Sequence, residues 1–473
     1  MDVTEMDALL KRSVEAWGAP GAALVVAQGD EVLYMGCAGV KELGKPDPVT
    51  PDTLFAIAST TKAFTCTTIA MMVDEGKMAW DDPVCKYVDY FRLSDPLANA
   101  NVTLRDLVTH RTGMSRNDML WYGSANTREE AIRRIGLVKP NTSFRSTYEY
   151  NNIMYATAGV AVGNADESSW EDVVRKRIFE PLGMTGANFS THDAVKSPDY
   201  ATPHHKGEDG ITQAVPWRNL DNCAPGGSIN AGVRDLSKWL RFQINEGVFE
   251  GKTLISPEKL LETRTPQIVT PAVPNGISPV TLGAYGLGWA VYAYRGHTVC
   301  SHGGALDGFR SHAVLIPHLK IGFAILVNLS PSALVESVRN SLLDMALGAE
   351  PEDWNAKTIA QQEEAIAKEQ KERQERRDKS HKETKPSRKL TAYTGAYENK
   401  AYGAAHITLV NGALALQWSW LNLPLEHLHF DTFLAEIEAH PRVTEVAQFE
   451  LNKEGEVAVL NVIGQEFTKV KVK

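Results

Sequence analysis

Two blocks of strand-like sequence, one near the start and one far downstream, constrain this chain more than any other feature. Residues 21–40, GAALVVAQGDEVLYMGCAGV, read as two strands around a Gln28-Gly29-Asp30 turn. Strand character returns over 285–328, in YGLGWAVYAY, HTVC, SHAVLIP and KIGFAILVN. Helical spacing occupies 3–17, a buried helix follows a short apolar strand or turn within 53–75, and another helix falls at 332–347. The stretch 80–265 mixes helical patterns with Gly/Pro/Asn loops. Strands at both ends with helices between them predict one sheet closed by the first and last strands. The expected architecture is an α/β or α+β sandwich with a mainly helical insertion.

The composition breaks at 356–389, AKTIAQQEEAIAKEQKERQERRDKSHKETKPSRK. Glu364/Lys368, Glu369/Arg373, Glu372/Arg376 and Glu375/Lys379 are acid-first pairs at i,i+4, the favourable order on a helix. This predicts a solvated linker helix fraying before Pro386, without the apolar stripe of a coiled coil. From 390 to 473 apolar and polar residues alternate between Asn-Gly and Glu-Gly turns, the pattern of a small antiparallel sheet or barrel. The boundaries read from this are 1–350, a linker at 351–389, and 390–473.

The net charge of −9, with 49 basic and 58 acidic side chains, argues against nucleic acid as the main partner. No run approaches the ~18–20 apolar residues of a membrane span, so no membrane partner is expected. The opening MDVTEMDALLKRSVEAWG lacks a basic segment followed by an apolar one, which favours a cytoplasmic location. Five widely spaced cysteines (Cys37, Cys66, Cys85, Cys223 and Cys300) form no CxxC pair and fit a reduced compartment. No zinc spacing or HExxH occurs, and the chain spanning Gly247, Gly251 and Lys252 misses P-loop spacing, so no metal or nucleotide cofactor is required.

Ser59-Thr-Thr-Lys62 is the strongest chemical candidate. A serine hydroxyl needs a neighbouring base to become a nucleophile. At i,i+3 on a helix Lys62 lies beside Ser59, and Phe55, Ile57, Phe64, Ile69 and Met71 supply an apolar setting that disfavours a charged lysine. The helix start also favours negative charge developing on Ser59. The second such tetrapeptide, Ser256-Pro-Glu-Lys259, reads instead as a helix cap followed by solvated charges. Tyr150-Asn151-Asn152 offers a phenol that can act as general base beside a lysine, with Asn152 able to bond both Lys62 and a substrate carbonyl. His302-Gly303-Gly304 places glycines beside a strand, where a substrate backbone can approach, and the Ala305 amide can pair with that of Ser59 as an oxyanion hole.

The three motifs in this order resemble the serine β-lactamase-like superfamily, in its class C-like branch of esterases, D-aminopeptidases and acyltransferases. LRDLVTHRTGM (104–114), FRSTYEYNNIMYATAG (144–159), IFEPLGMT (178–185), APGGSINAGVRDLSKWL (224–240), YGLGW (285–289) and LIPHLKIGFAILVN (315–328) extend the resemblance over about residues 5–348. The last segment is similar to the lipocalin-like barrel appended to some members. The resemblance implies the β-lactamase/transpeptidase sandwich, an antiparallel sheet flanked by helices with a mainly helical subdomain. It also implies Ser59 as acylated nucleophile, Lys62 as proton-relay partner and Tyr150 as general base and acid. Asn152 would position Lys62 and substrate, His302 and Gly304 would form the third motif, and the Ser59 and Ala305 amides would hold the oxyanion.

The third motif departs from the Lys-Thr-Gly or Lys-Ser-Gly usual in the β-lactamases of this superfamily. A neutral histidine anchors a carboxylate weakly near pH 7, which favours ester, lactone, amide or thioester substrates over β-lactams. The expected partner is a small acyl substrate handled through an acyl-enzyme. The alternatives are an acyltransferase or cyclising tailoring enzyme using the same intermediate, and a non-catalytic scaffold. Trp121, Tyr122, Tyr285 and Trp289 flank the motifs as candidates for an apolar acyl pocket, with core packing as their other reading. His427 and His429 alternate to one strand face, and the C-terminal region is a candidate for homo-oligomer contacts.

Overall fold

The structure, a computed structural model, describes residues 1–271, 279–381, 383–436 and 444–470. The chain forms two compact units: Met1–Asp118 with Thr127–Ile359, and Met119–Asn126 with Ala360–Lys473.

The first unit begins with α1 (Val3–Trp17), capped by the Asp2 carboxylate and stopped by Gly18 in the left-handed region at φ 61°. The predicted hairpin follows as β1 (Gly21–Gln28) and β2 (Glu31–Gly39). Six further strands complete the sheet: β3 (Ile268–Val269), β4 (Val280–Tyr285), β5 (Ala290–Tyr294), β6 (His297–Leu306), β7 (Phe309–Ile316) and β8 (Ile321–Val327). Their order is β2-β1-β8-β7-β6-β5-β4-β3, antiparallel throughout. β1 therefore pairs with the last strand, as the two separated blocks of strand sequence require. Both are buried on both faces, which is why they read as unbroken apolar runs instead of alternating ones.

On one face α1 and α5 (Leu334–Leu347) cover the sheet, where Met6, Leu10 and Leu342 meet Leu24, Phe323 and Ile325. Each such side chain contributes about 1.5–3 kcal/mol by leaving water. The other face receives α4 (Val233–Ile244), whose Leu240 and Ile244 lie over Gly322. Two helices of the insertion, α2 (Thr61–Asp74) and α3 (Asn152–Ala165), are the interior of the unit. Every residue of α2 from Thr61 to Met72 is buried, so its apolar surface has no outward face.

The charged stretch forms α6 (Trp354–Asp378), with Glu375 and Lys379 3.2 Å apart. In the second unit a closed antiparallel barrel is built from β9 (Gly395–Asn399), β10 (Gly403–Val410), β11 (Ala413–Trp418), β12 (Leu421–His429), β13 (Thr432–Glu436), β14 (Thr444–Leu451), β15 (Val457–Val462) and β16 (Gln465–Lys469). Closure joins its first and last strands through Tyr397 and Lys469. Tyr393, Tyr397, Trp418, Phe433, Phe449 and Phe467 fill the interior. The Asn411-Gly412 turn has both residues at positive φ, 51° and 83°, as a tight Asn-Gly hairpin demands. Among the described residues no helix is long and apolar enough to cross a membrane.

Candidate active site

Ser59 lies in a 3₁₀ turn (Ala58–Thr60) that feeds α2, where the sequence predicts the start of the helix itself. A 3₁₀ turn also places i and i+3 on one side, so Lys62 still faces Ser59. Ala58, immediately before the serine, is left-handed at φ 45°, a conformation costing a non-glycine residue about 1–3 kcal/mol. The turn is fastened to the sheet on both flanks. Ser311 Oγ donates to the Ile57 carbonyl at 2.7 Å, and Thr60 Oγ1 donates to the His302 carbonyl at 3.3 Å. Gly304 lets β6 pass this turn, because a Cβ there would sit 2.2 Å from the Ile57 carbonyl oxygen.

Lys62 is fully buried, and its ammonium group donates in three directions. Its acceptors are Ser59 Oγ at 3.1 Å, Asn152 Oδ1 at 2.7 Å and the Gly226 carbonyl at 2.6 Å. Gly226 is held there because Thr65 Oγ1 bonds the Pro225 carbonyl and Thr61 Oγ1 receives the Ile229 N–H. Tyr150 completes the group, its hydroxyl 2.9 Å from Ser59 Oγ. Ser59, Lys62, Tyr150 and Asn152 thus converge from a 3₁₀ turn, α2, a loop and the first turn of α3.

His302 lies on β6 and is buried. Burial, reinforced by the Lys62 cation, pushes it down to about 3. Its Nδ1–H donates to its neighbour's carbonyl, Gly303 O, at 2.8 Å, while Nε2 receives the Tyr285 hydroxyl at 2.9 Å. Both ring nitrogens are occupied and the ring is neutral, so the third motif carries no cation for a substrate carboxylate. Gly304 and Ala305 continue β6, with Ala305 at its exposed edge beside Arg310 of β7.

The four aromatic pocket candidates fall in different units. Trp289 is wholly buried, and Tyr285 is 3% exposed with its hydroxyl on His302. Both serve the interior. Trp121 and Tyr122 belong to the barrel-containing unit, where Tyr122 lies edge-on to Trp420. His427 Nε2 bonds the Phe430 carbonyl, and no cluster of three His, Cys, Asp or Glu that could hold a metal occurs among the described residues.

Two neighbours escape sequence reading. Asn152 Nδ2 approaches Asp118 Oδ1 at 3.4 Å, and Asp118 is paired with Arg116 at 2.7 Å. A cation on one side of the Asn152 amide and a carboxylate on the other fix which end faces Lys62. His110 lies tilted against Tyr150, with ring centroids 4.4 Å apart.

The β-lactamase family model matches residues 6–346, and a domain of unknown function (DUF3471) matches 379–470. Unguisins hydrolase ungD of Aspergillus violaceofuscus is 28% identical over 96% of this chain and 87% of its own. The octameric penicillin-binding protein homologue from Pyrococcus abyssi superposes with a TM-score of 0.65 at 22% identity, covering 99% of this chain and 100% of that one. D-amino acid amidase from Ochrobactrum anthropi superposes with a TM-score of 0.60 at 21% identity, over 77% of this chain and 100% of its own. With most of its length matched by that one family model, the chain belongs to the β-lactamase family of serine hydrolases.

Proposed function

We propose that the protein cleaves ester, lactone, thioester or amide bonds of small molecules through an acyl-enzyme on Ser59. The observation that carries this reading is the convergence of Tyr150 OH and Lys62 Nζ on Ser59 Oγ, at 2.9 and 3.1 Å. In the resting arrangement both groups donate to the serine oxygen. The competent form is therefore one in which the Tyr150–Lys62 pair has released one proton. Tyr150 then takes the Ser59 proton as Oγ bonds the acyl carbon, and the carbonyl oxygen gains charge beside the Ser59 and Ala305 amides. Tyr150 returns the proton to the leaving group as its bond to the acyl carbon breaks. Water repeats the sequence to release the acid and restore Ser59.

The neutral His302 supports substrates without a carboxylate at the third motif, which disfavours penicillins. The named activities of the relatives, a D-amino acid amidase and a hydrolase of unguisins, bring amides into consideration beside esters. Turnover of a short-chain nitrophenyl ester, an acyl thioester, a D-amino-acid amide and a penicillin tests the reading. The ester, thioester or amide is expected to turn over, and the penicillin at least tenfold more slowly; hydrolysis of the penicillin alone contradicts it. Product analysis with an added amine or alcohol separates hydrolysis from acyl transfer.

Catalysis is assigned to residues 1–350, with 351–389 as linker and 390–473 as a separate domain. The barrel exposes Leu409, Val410 and Phe430, which supports self-association through this domain, and the homologue from Pyrococcus abyssi is octameric. Light scattering on the full chain decides between monomer and oligomer.

A further inference from the structure

Tyr150 lies outside any helix or strand, so no backbone ladder holds the loop that delivers its hydroxyl. His110 restrains it on both sides of Tyr150, while Arg116, 5.0 Å from the Tyr150 ring centre, and the bond from Asn151 Nδ2 to the Ser115 carbonyl add further contacts. The His110 carbonyl accepts the Glu149 N–H at 2.7 Å, and His110 Nδ1 accepts the Asn151 N–H at 3.1 Å. Between these two bonds, the His110 ring lies 4.4 Å from the Tyr150 ring at an angle of 35°. One residue thus bonds the backbone N–H on either side of Tyr150 and lies against its ring.

His110 is fully buried and left-handed, at φ 58°. That region is uncommon for residues with a Cβ and best tolerated by Asn, Asp and His. Because Nδ1 accepts, the ring proton resides on Nε2. Nε2 has no hydrogen-bond partner among the described residues, and the rings of Tyr155 and Tyr285 are each centred 5.1 Å from the His110 ring centre. The directional side-chain bond of His110 therefore goes to the loop carrying Tyr150.

We propose that His110 is a positioning residue for Tyr150, holding the phenol oxygen at hydrogen-bonding distance from Ser59. This rests on the assignment of Tyr150 as the base. A displacement of about 1 Å at a reacting group can cost a hundredfold in rate.

The test is single-turnover acylation of the full chain by a nitrophenyl ester, with folding checked by urea denaturation. His110→Ala is expected to slow acylation about a hundredfold, with KM within about threefold. His110→Asn keeps an acceptor and tolerates the left-handed backbone but lacks the ring, so it is expected to lose about tenfold in rate, KM again unchanged. The Asn variant keeps the proposal falsifiable even if the Ala variant does not fold. Acylation at the wild-type rate in folded His110→Asn overturns the proposal, as does a loss seen only in KM. Tyr150→Phe serves as reference. If it loses acylation while the His110 variants keep it, only the His110 proposal falls; if it acylates normally, the base assignment falls and this proposal with it.

Discussion

Tyr285 donates its hydroxyl to Nε2 of His302 at 2.9 Å, closing the third-motif histidine on the side away from its own Nδ1–H bond. The contact ties an aromatic residue of the YGLGW segment to the His302-Gly303-Gly304 motif. Tyr285→Phe leaves a buried acceptor without a donor. We predict a loss of about 1–3 kcal/mol in urea unfolding, with Ser59 acylation retained. An unchanged unfolding midpoint contradicts the role of the bond.

Gly304 is required by close approach. A Cβ at this position would meet both the Ile57 carbonyl oxygen and Ser311 Oγ at 2.2 Å. The carbonyl is fixed by the Ser311 bond, so β6 must move away from the nucleophile turn. Gly304→Ala is predicted to lower acylation by about tenfold or more, a loss visible in single-turnover kinetics.

Acid should destabilise the fold above the range in which carboxylates titrate. Burial holds His302 down at about 3 and puts His110 and His312 well below the ordinary histidine value of 6.5. As pH falls below 6.5 the unfolded chain takes up protons that these folded histidines refuse. Stability is therefore complete above 6.5 and lost as pH falls below it, at about 1.4 kcal/mol per pH unit for each histidine that stays neutral in the fold. Urea midpoints at pH 7.5, 6 and 5 check this; equal midpoints contradict it.

The Lys62 and Tyr150 side chains act on the same oxygen and should not substitute for one another. Lys62→Met and Tyr150→Phe are each predicted to reduce kcat by about 10²–10⁴. The double variant should lose little more than either alone, because the pair works as a unit. Fully additive losses, measured in one ester assay, indicate separate roles.

The strand-bounded sandwich was legible from apolar patterning, and Ser59 beside Lys62 from their spacing, whereas Tyr150 and Asn152, about 90 residues further along the chain, were legible only through the family resemblance. Ser59 and Lys62 are three residues apart in an apolar stretch that becomes the wholly buried start of α2, a context the second such tetrapeptide at Ser256 lacks. The Asn411-Gly412 hairpin was legible for the same local reason. His110 and Asp118 were not, since each gains its role by meeting a residue some distance along the chain, through a left-handed backbone in one case and an amide orientation in the other. Tyr285 and Trp289 sit beside the motifs in sequence, but proximity along a strand does not say which face is buried. Both are interior.

The central claim is that Ser59 carries the acyl group. Intact-protein mass spectrometry of the full chain after brief exposure to a nitrophenyl ester and to a fluorophosphonate tests it directly, comparing wild type with Ser59→Ala. The account predicts a single covalent adduct on wild type and none on Ser59→Ala, with ester turnover lost in that variant. An adduct or undiminished turnover in folded Ser59→Ala contradicts it.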